Sequence, residues 1–233
     1  MLTSFPDSLI PAHDAARLRT LHQFAIVNTT PELVFDNYTA WAAQLFNTPI
    51  ALISLVDEDY VWFKSRTGGP DINKLVRNES MCSAAILTDE LVVVSDYKPE
   101  SCSLIKPDVA QAIGLNFYVG AALIASDGAR LGMLAVIGKE YRVPSSAEIE
   151  VLTRLAELVT QTIELRYRYL AADQAAEWED AQHELVYALD ENATLARYLI
   201  TRSQRIDLTD PEVAQLIARR LDSVTKVLRR RLG

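Results

Sequence analysis

Residues 117–138 read FYVGAALIASDGARLGMLAVIG, and this stretch decides the fold class. It consists of two apolar runs, 117–126 and 129–138, joined by the dipeptide Asp127-Gly128. Asp-Gly accommodates the positive φ angles that a tight turn between antiparallel strands requires. The stretch therefore predicts a β-hairpin. Because both strands are apolar along their length, we expect the hairpin near the centre of a sheet, with little exposed face.

Three further segments have the pattern of short strands. Residues 51–56 (ALISLV) and 60–65 (YVWFKS) flank the acidic residues 57–59, which indicates a second hairpin with a tight turn. Residues 91–96 (LVVVSD) form a short β-branched run that ends in polar residues. The carboxylates of 57–59 could suggest a metal site, but a solvated hairpin turn is the favoured interpretation.

Helical signals separate and follow these strands. Residues 29–46 predict a helix, with Thr30 as a possible cap, and residues 106–114 predict a short one. Ser145 and Glu148 have the spacing of a capping box at the start of a long helix. The chain thus predicts an α+β fold in which short antiparallel strands are interspersed with helices.

The long helix carries two apolar stripes, of which a sheet can cover one. The second stripe needs another helix over it. Symmetric homodimers are the commonest soluble oligomers. We therefore expect a homodimer built on parallel, coiled-coil-like helices, with the first helix of the domain contributing to the contact. The predicted interface residues are Val151, Leu155, Leu158 and Leu165.

The last 60 residues show only helical patterns and divide into two parts of opposite charge. Residues 171–195 contain seven acidic and no Lys or Arg residues, whereas residues 196–233 contain nine basic and four acidic ones. Thr209 and Glu212 have capping-box spacing before the basic part. We interpret the basic part as packed against the acidic helix of the same chain or of a partner, in preference to contact with nucleic acid or an anionic membrane.

Composition narrows the class of protein. With 233 residues, 49% of them hydrophobic, the chain can bury a core, and its net charge of −8 argues against nucleic-acid binding through the whole surface. No apolar run approaches the ~20 residues of a membrane span, and no leader pattern is present, so we expect a cytoplasmic protein. Two cysteines, with three histidines distant in sequence, predict neither a disulfide framework nor a zinc site.

Several motifs of this chain resemble, in their order and their amino-acid sequence, motifs of the GAF domains of bacterial sensor histidine kinases and diguanylate cyclases. These motifs are residues 30–68, 80–87, 91–96 and 117–138. The resemblance covers roughly residues 15–168. It implies an antiparallel sheet of about six strands with helices on both faces, followed by a C-terminal helical region. The domains expected from it are a GAF domain with an N-terminal helical lead-in at 1–168, and signalling or dimerisation helices at 169–233.

The resemblance also implies a ligand pocket on the face of the sheet opposite the first and last helices, roofed by short helices and loops. Polar residues at the rim of such a pocket orient a ligand within an apolar lining. Because alternate residues of a strand face opposite sides, about half of the aromatic candidates are expected to fill the core instead. The predicted pocket residues are Trp62, Phe63, Arg66, Ser80, Cys82, Asp96, Phe117 and Tyr118.

Cys82, in the stretch SMCSAAIL, is either a reactive thiol or a side chain that only packs in the core. A thiol near a helix N-terminus can sense redox state, alone or with Cys102, but a free cysteine is more commonly an inert buried residue, which is the favoured interpretation. Many relatives have phenylalanine before this cysteine and histidine two residues after it, where this chain has Met81 and Ala84. The difference argues against a role that needs the histidine, tetrapyrrole binding included.

The function that these observations favour is a non-catalytic sensor. We expect it to bind a small molecule or to sense redox state, and to signal through its C-terminal helices to a partner or output domain. Two alternatives stay open: a thiol-dependent enzyme like the free methionine-R-sulfoxide reductases, which are GAF proteins, and a purely structural dimerisation module. Neither the ligand nor any cofactor follows from the residues.

Overall fold

The fold is built on one sheet of six antiparallel strands. The structure, a computed structural model, describes residues 10–88, 91–96, 112–203 and 205–233. The strands are β1 (Ile50–Val56), β2 (Tyr60–Thr67), β3 (Lys74–Val76), β4 (Val92–Val94), β5 (Phe117–Ile124) and β6 (Arg130–Gly138). Their order across the sheet is β3-β2-β1-β6-β5-β4. The predicted hairpin is confirmed as β5–β6, and β6 pairs with β1 at the centre of the sheet.

Five α-helices lie within the described residues. They are α1 (Asp14–Gln23), α2 (Leu33–Leu45), α3 (Ser146–Ala171), α4 (Ala175–Ser203) and α5 (Pro211–Leu232). Helices α2 and α3 pack against one face of the sheet. The other face is covered in part by the 3-10 helix Met81–Ile86. The expected α+β architecture with a C-terminal helical region is therefore confirmed. No helix among the described residues is long and apolar enough to cross a bilayer.

Helix boundaries follow local capping chemistry, with two departures from the prediction. The capping box of Ser145 and Glu148 forms as predicted. Helix α2 instead begins after Glu32, and Thr30 does not cap it. The Glu32 side chain makes no capping hydrogen bond, since its carboxylate accepts from Lys64 and Arg166. Helix α5 begins one residue later than predicted, since the Asp210 carboxylate, not Thr209, accepts the free amides of its first turn. The predicted helix at 106–114 falls mainly on residues outside the described ranges.

The second stripe of α3 is covered by the chain's own C-terminal helices. Val151, Leu155, Leu158 and Leu165 are each at most 8% exposed. They join one apolar cluster with the inner face of α5, whose members are Ile217, Leu221, Val224 and Leu228. This differs from the expected dimer contact. The physical reason is that the chain folds back, so that α5 lies along α3 and removes the stripe from solvent without a second copy.

The opposite charges of the C-terminal region meet within the same chain. The Arg231 guanidinium donates to the Glu184 carboxylate on α4 at 2.8 Å, and Arg230 donates to the same carboxylate at 2.6 Å. The hydrogen bond from Arg231, with support from Arg230, lowers the pKa of Glu184 below its usual range, although partial burial opposes this. The interpretation that the basic end packs on the acidic helix is therefore confirmed.

A cluster of ion pairs and hydrogen bonds connects helix α1 to the end of the sheet. Arg17 donates to the carbonyl oxygen of Val56 at 2.6 Å and to the Asp14 carboxylate at 2.7 Å. Asp14 also accepts from Arg77, at 2.8 Å. Burial alone would raise the pKa of Asp14, but the hydrogen bonds from Arg77 and Arg17 outweigh it and hold the pKa below its usual value. The cluster thus favours the ionised carboxylate.

Candidate functional site

A small apolar cavity lies on the face of the sheet opposite α2 and α3. It has a volume of about 60 Å³. A single water needs roughly 10–15 Å³ measured in this way, so the cavity has room for about four to six non-hydrogen atoms. Its walls come from β1, β2, β5 and β6, the loop after β2 and the 3-10 helix Met81–Ile86. The lining is almost entirely apolar.

The pleat of the strands sorts the four aromatic candidates between the two faces. Phe63 and Tyr118 line the cavity. Trp62 and Phe117 belong instead to the core beneath the helices. This division follows from the alternation of side chains along β2 and β5, which places neighbouring residues on opposite faces. Half of the aromatic set thus packs in the core, as the alternation predicted.

A β-bulge in β2 changes which residues face the cavity. Ser54 of β1 pairs with Phe63, whereas Ile53 pairs with Ser65, so Lys64 has no partner in the ladder. The extra residue shifts the alternation by one position for the remainder of the strand. Ser65, which would otherwise follow Phe63 on the cavity face, hydrogen-bonds to Asp36 on α2 at 2.6 Å. Arg66 is turned towards the cavity in consequence.

Arg66 is the single charged residue among the described residues that line the cavity. Its guanidinium forms an ion pair with Asp71 in the loop that follows β2. The Asp71 side chain is 93% exposed, whereas that of Arg66 is 28% exposed. Gly68 begins this loop with a φ of +69°, and a Cβ there would lie 2.0 Å from the carbonyl oxygen of Pro49. Only glycine allows the loop to approach β1 so closely.

Cys82 lies in the wall of the cavity, and its surroundings are those of a packed side chain. It is 3% exposed, and its Sγ lies 3.4 Å from the Tyr118 hydroxyl. That hydroxyl donates to the Met133 Sδ at 2.9 Å. Ser80 uses its own hydroxyl to cap the 3-10 helix, accepting the Cys82 amide at 3.3 Å. Both residues therefore line the cavity, and Ser80 also has a local structural role.

Two candidates lie away from the cavity or cannot be placed. Asp96 is exposed after β4 and does not line the cavity. Cys102 falls outside the described residues, so the pairing with Cys82 stays a prediction. Sequence reasoning also missed much of the lining. Alternation within β1 and β6 contained the signal for part of it, because those strands place every second residue on the cavity face. The missed lining residues on these two strands are Ile50, Leu52 and Ile137.

On the other face, a buried charge cluster joins β2 to three helices. We call Glu32, Lys64, Arg166 and Trp178 the Glu32 cluster. The Glu32 carboxylate, at the start of α2, accepts from Lys64 Nζ at 2.6 Å, from Arg166 Nε at 2.9 Å and from Trp178 Nε1 at 3.0 Å. Arg166 is on α3 and Trp178 on α4. The bulged residue of β2 is thus connected to the C-terminal helices through one carboxylate.

Lys64 is held in this cluster at an energetic cost. Its side chain is completely buried, with Nζ also donating to Thr29 Oγ1 and the Thr30 carbonyl oxygen, each at 2.8 Å. Burial lowers the pKa of Lys64, and the hydrogen bond and charge of Glu32 partly offset that effect. A buried cation of this kind depends on its carboxylate partner, because removal of the partner leaves an uncompensated charge. The sequence contains no periodic signal for this arrangement.

The acidic turn between β1 and β2 has no features of a metal site. Glu58 and Asp59 are exposed, whereas Asp57 is buried and its carboxylate accepts a hydrogen bond from His22 Nε2 at 2.6 Å. Within the described ranges, no group of three or more His, Cys, Asp or Glu side chains could hold a metal ion. The interpretation as a solvated turn holds for two of the three carboxylates, and the third packs against α1.

Comparisons with known proteins show which sequences and structures this chain is similar to. The chain is 32% identical over 154 residues to a cyclic di-GMP phosphodiesterase of Pseudomonas aeruginosa, an alignment that covers 66% of this chain and 26% of that protein. The chain thus spans about a quarter of the length of that relative.

Two solved structures illustrate the likeness in fold. One is the blue-light-absorbing form of the PixJ GAF domain from Thermosynechococcus elongatus, with a TM-score of 0.48 and 15% identity over 69% of this chain and 94% of that chain. The other is the GAF domain of an Acinetobacter phosphoenolpyruvate-protein phosphotransferase, with a TM-score of 0.47 and 17% identity over 68% of this chain and 97% of that chain. The family model of the GAF domain matches residues 30–163, more than half of the chain. The chain therefore belongs to the GAF domain family.

Proposed function

We propose that this protein is a non-catalytic sensor that binds a small molecule in the cavity and transmits occupancy to its C-terminal helices. The observation that carries the proposal is the construction of β2. Phe63 and Arg66 of this strand line the cavity, while the bulged Lys64 between them reaches the Glu32 cluster on the opposite face. One strand therefore contacts both the candidate ligand site and the helices that would carry the signal.

The route of transmission is short. A ligand that moves Phe63 or Arg66 displaces the backbone of β2 at the bulge, where no ladder pairing holds Lys64. If Lys64 moved away from the Glu32 carboxylate, its charge would stay buried without a partner. Glu32 is therefore expected to move together with Lys64. Arg166 and Trp178 share that carboxylate, and the movement reaches α3 and α4. A tightly coupled buried network responds as a unit, which suits it to this role.

The output is proposed to lie with a partner or a further domain. The chain aligns with only 26% of the Pseudomonas aeruginosa phosphodiesterase, and its match to the GAF domain family supports a regulatory role for this region. We assign residues 1–168 to the sensory unit and 169–233 to the output region, with α3 crossing that boundary. Because the second stripe of α3 is buried within the chain, we propose that a homodimer uses other surfaces. The cytoplasmic location stays a prediction.

The test of ligand binding uses the purified protein in native mass spectrometry. We expect a bound small molecule on the wild type, and the same molecule on Cys82→Ser, which conserves the volume of this side chain. Cys82→Leu puts a larger side chain into the cavity wall and is expected to abolish the mass increment. Identical spectra without any bound molecule for all three proteins would contradict the proposal.

The test of transmission uses hydrogen exchange of α4 and α5 with and without the molecule found. We expect ligand to change the exchange rates in the wild type, and Lys64→Met to reduce that change while ligand still binds. Arg154→Gln is the matched control, because its ion pair with Asp222 joins α3 and α5 away from β2. Equal responses of both variants would show that the signal does not pass through Lys64.

A further inference from the structure

The chemistry of the cavity wall restricts the class of ligand. Apart from Arg66, the described lining offers apolar side chains, backbone and three weakly polar groups, those of Ser80, Cys82 and Tyr118. The Ser80 hydroxyl accepts the Cys82 amide, and the Tyr118 hydroxyl lies against the sulfurs of Cys82 and Met133. A ligand therefore meets an apolar chamber with one strong donor at its edge.

Arg66 is the donor that a ligand can recruit. Its guanidinium donates to the Asp71 carboxylate and to the Gly68 carbonyl oxygen, the latter at 3.4 Å. Asp71 is almost fully exposed, so its ion pair is screened by water and contributes little. A carboxylate that arrives from the cavity side would be held in a drier environment. Planar guanidinium groups match carboxylates with two parallel hydrogen bonds.

We propose that the ligand is a small apolar monoanion, a short or branched-chain monocarboxylate whose chain fills the cavity and whose carboxylate replaces Asp71 on Arg66. This inference rests on the proposed sensory function and specifies its ligand. The cavity volume sets the size, since about four to six non-hydrogen atoms fit inside. The β-bulge is what makes the site, because strict alternation along β2 would direct Arg66 to the opposite face.

The proposal also assigns a role to Asp71. Asp71 pairs with the guanidinium of Arg66 and would compete with an anionic ligand for it. Its removal leaves Arg66 free for the ligand, and at 93% exposure Asp71 can be changed without loss of packing. Asp71→Asn is therefore expected to strengthen binding of an anion and to leave binding of a neutral analogue unchanged.

The experiment is isothermal titration of the full chain with 3-methylbutyrate and with its neutral amide, 3-methylbutanamide. A charge-assisted pair with Arg66 predicts that the wild type binds the acid roughly ten- to a hundredfold more tightly than the amide. Arg66→Met is expected to bind both ligands equally, at the affinity of the amide, and Arg66→Lys to keep part of the preference. Asp71→Asn is expected to increase the affinity for the acid alone.

Three results would overturn the inference. Equal affinity of the wild type for acid and amide would show that charge is not recognised, as would a preference for the acid that survives Arg66→Met. Failure of both compounds to bind at millimolar concentration would refute this ligand class. The last result leaves the sensory proposal standing if native mass spectrometry finds a different molecule in the cavity, so the two failures are distinguishable.

Discussion

The Glu32 cluster predicts that one buried carboxylate stabilises the junction of the sheet and the C-terminal helices. Glu32→Gln keeps the shape of the side chain but removes the charge between Lys64 and Arg166, whose side chains are 0% and 9% exposed. Removal of one member of a buried ion pair costs about 3–5 kcal/mol, because the remaining charges stay buried without compensation. We expect Glu32→Gln to reduce the free energy of unfolding by that amount at pH 7, as measured by urea denaturation.

The matched control for this prediction is Arg154→Gln. The ion pair of Arg154 with Asp222 also connects α3 to a C-terminal helix, but its two side chains are 28% and 57% exposed. Exposed pairs are worth about 0.2–1 kcal/mol, so this variant is expected to lose no more than that. The reasoning is refuted if Glu32→Gln loses no more stability than Arg154→Gln, since solvent would then be screening the cluster.

A double-mutant cycle separates the members of the cluster. Lys64→Met removes one cation and leaves Glu32 paired with Arg166 and Trp178, so its loss is expected to be smaller than that of Glu32→Gln. The coupling energy between the two substitutions is expected to exceed about 1 kcal/mol, which is typical of residues in one network. Additive losses would contradict a direct interaction between Lys64 and Glu32.

Three further predictions concern other parts of the molecule. Because folding lowers the pKa of Asp14 below its ordinary value of 3.8, the ionised carboxylate stabilises the fold above that pH, and this stabilisation is lost as the pH falls through the pKa of the folded state. The loss of stability caused by Asp14→Asn should therefore be smaller at pH 3 than at pH 7. An equal loss at both pH values in denaturation experiments would contradict this. Leu158→Glu combined with Leu165→Glu should unfold α5 or detach it from α3, as measured by circular dichroism, and should cost more than one Leu→Ala change, which costs about 2–5 kcal/mol. If the double variant stays folded and only its oligomeric state changes in light scattering, the expected dimer contact is favoured instead. Cys82→Ser should leave ligand affinity within a few-fold, and the wild type should not turn over free methionine sulfoxide with a thiol reductant; turnover that this substitution abolishes would favour the enzyme alternative.

Five of the six strands and the start of α3 could be predicted because their signals are local. The Asp127-Gly128 dipeptide favours a hairpin turn, in which Gly128 has a positive φ of +85° and Asp127 does not have a positive φ. The capping box of Ser145 and Glu148 satisfies backbone amides within one turn of helix. The local signal at Thr30 did not decide the start of α2, where Glu32 takes the N-cap position and its carboxylate pairs with Lys64.

The candidate site was only partly predictable, because its lining is selected by register. Alternation correctly implied that half of the aromatic residues on β2 and β5 face the core, but it did not say which half. The bulge at Lys64 shifts that alternation, and it depends on the pairing of β1 with β2 across the sheet. The position of Arg66 in the cavity wall therefore required the structure.

The sequence by itself determined the hairpins, the order of strands and helices, and the amphipathic faces of α3 and α5, since each depends on residues within a few positions of one another. Only the tertiary structure decided what covers those faces. An apolar stripe such as Val151–Leu165 is buried equally well by a partner or by the chain itself, and here α5 folds back onto it. The same holds for Lys64 and Glu32, 32 residues apart, because a buried charge is stable only where folding brings its partner.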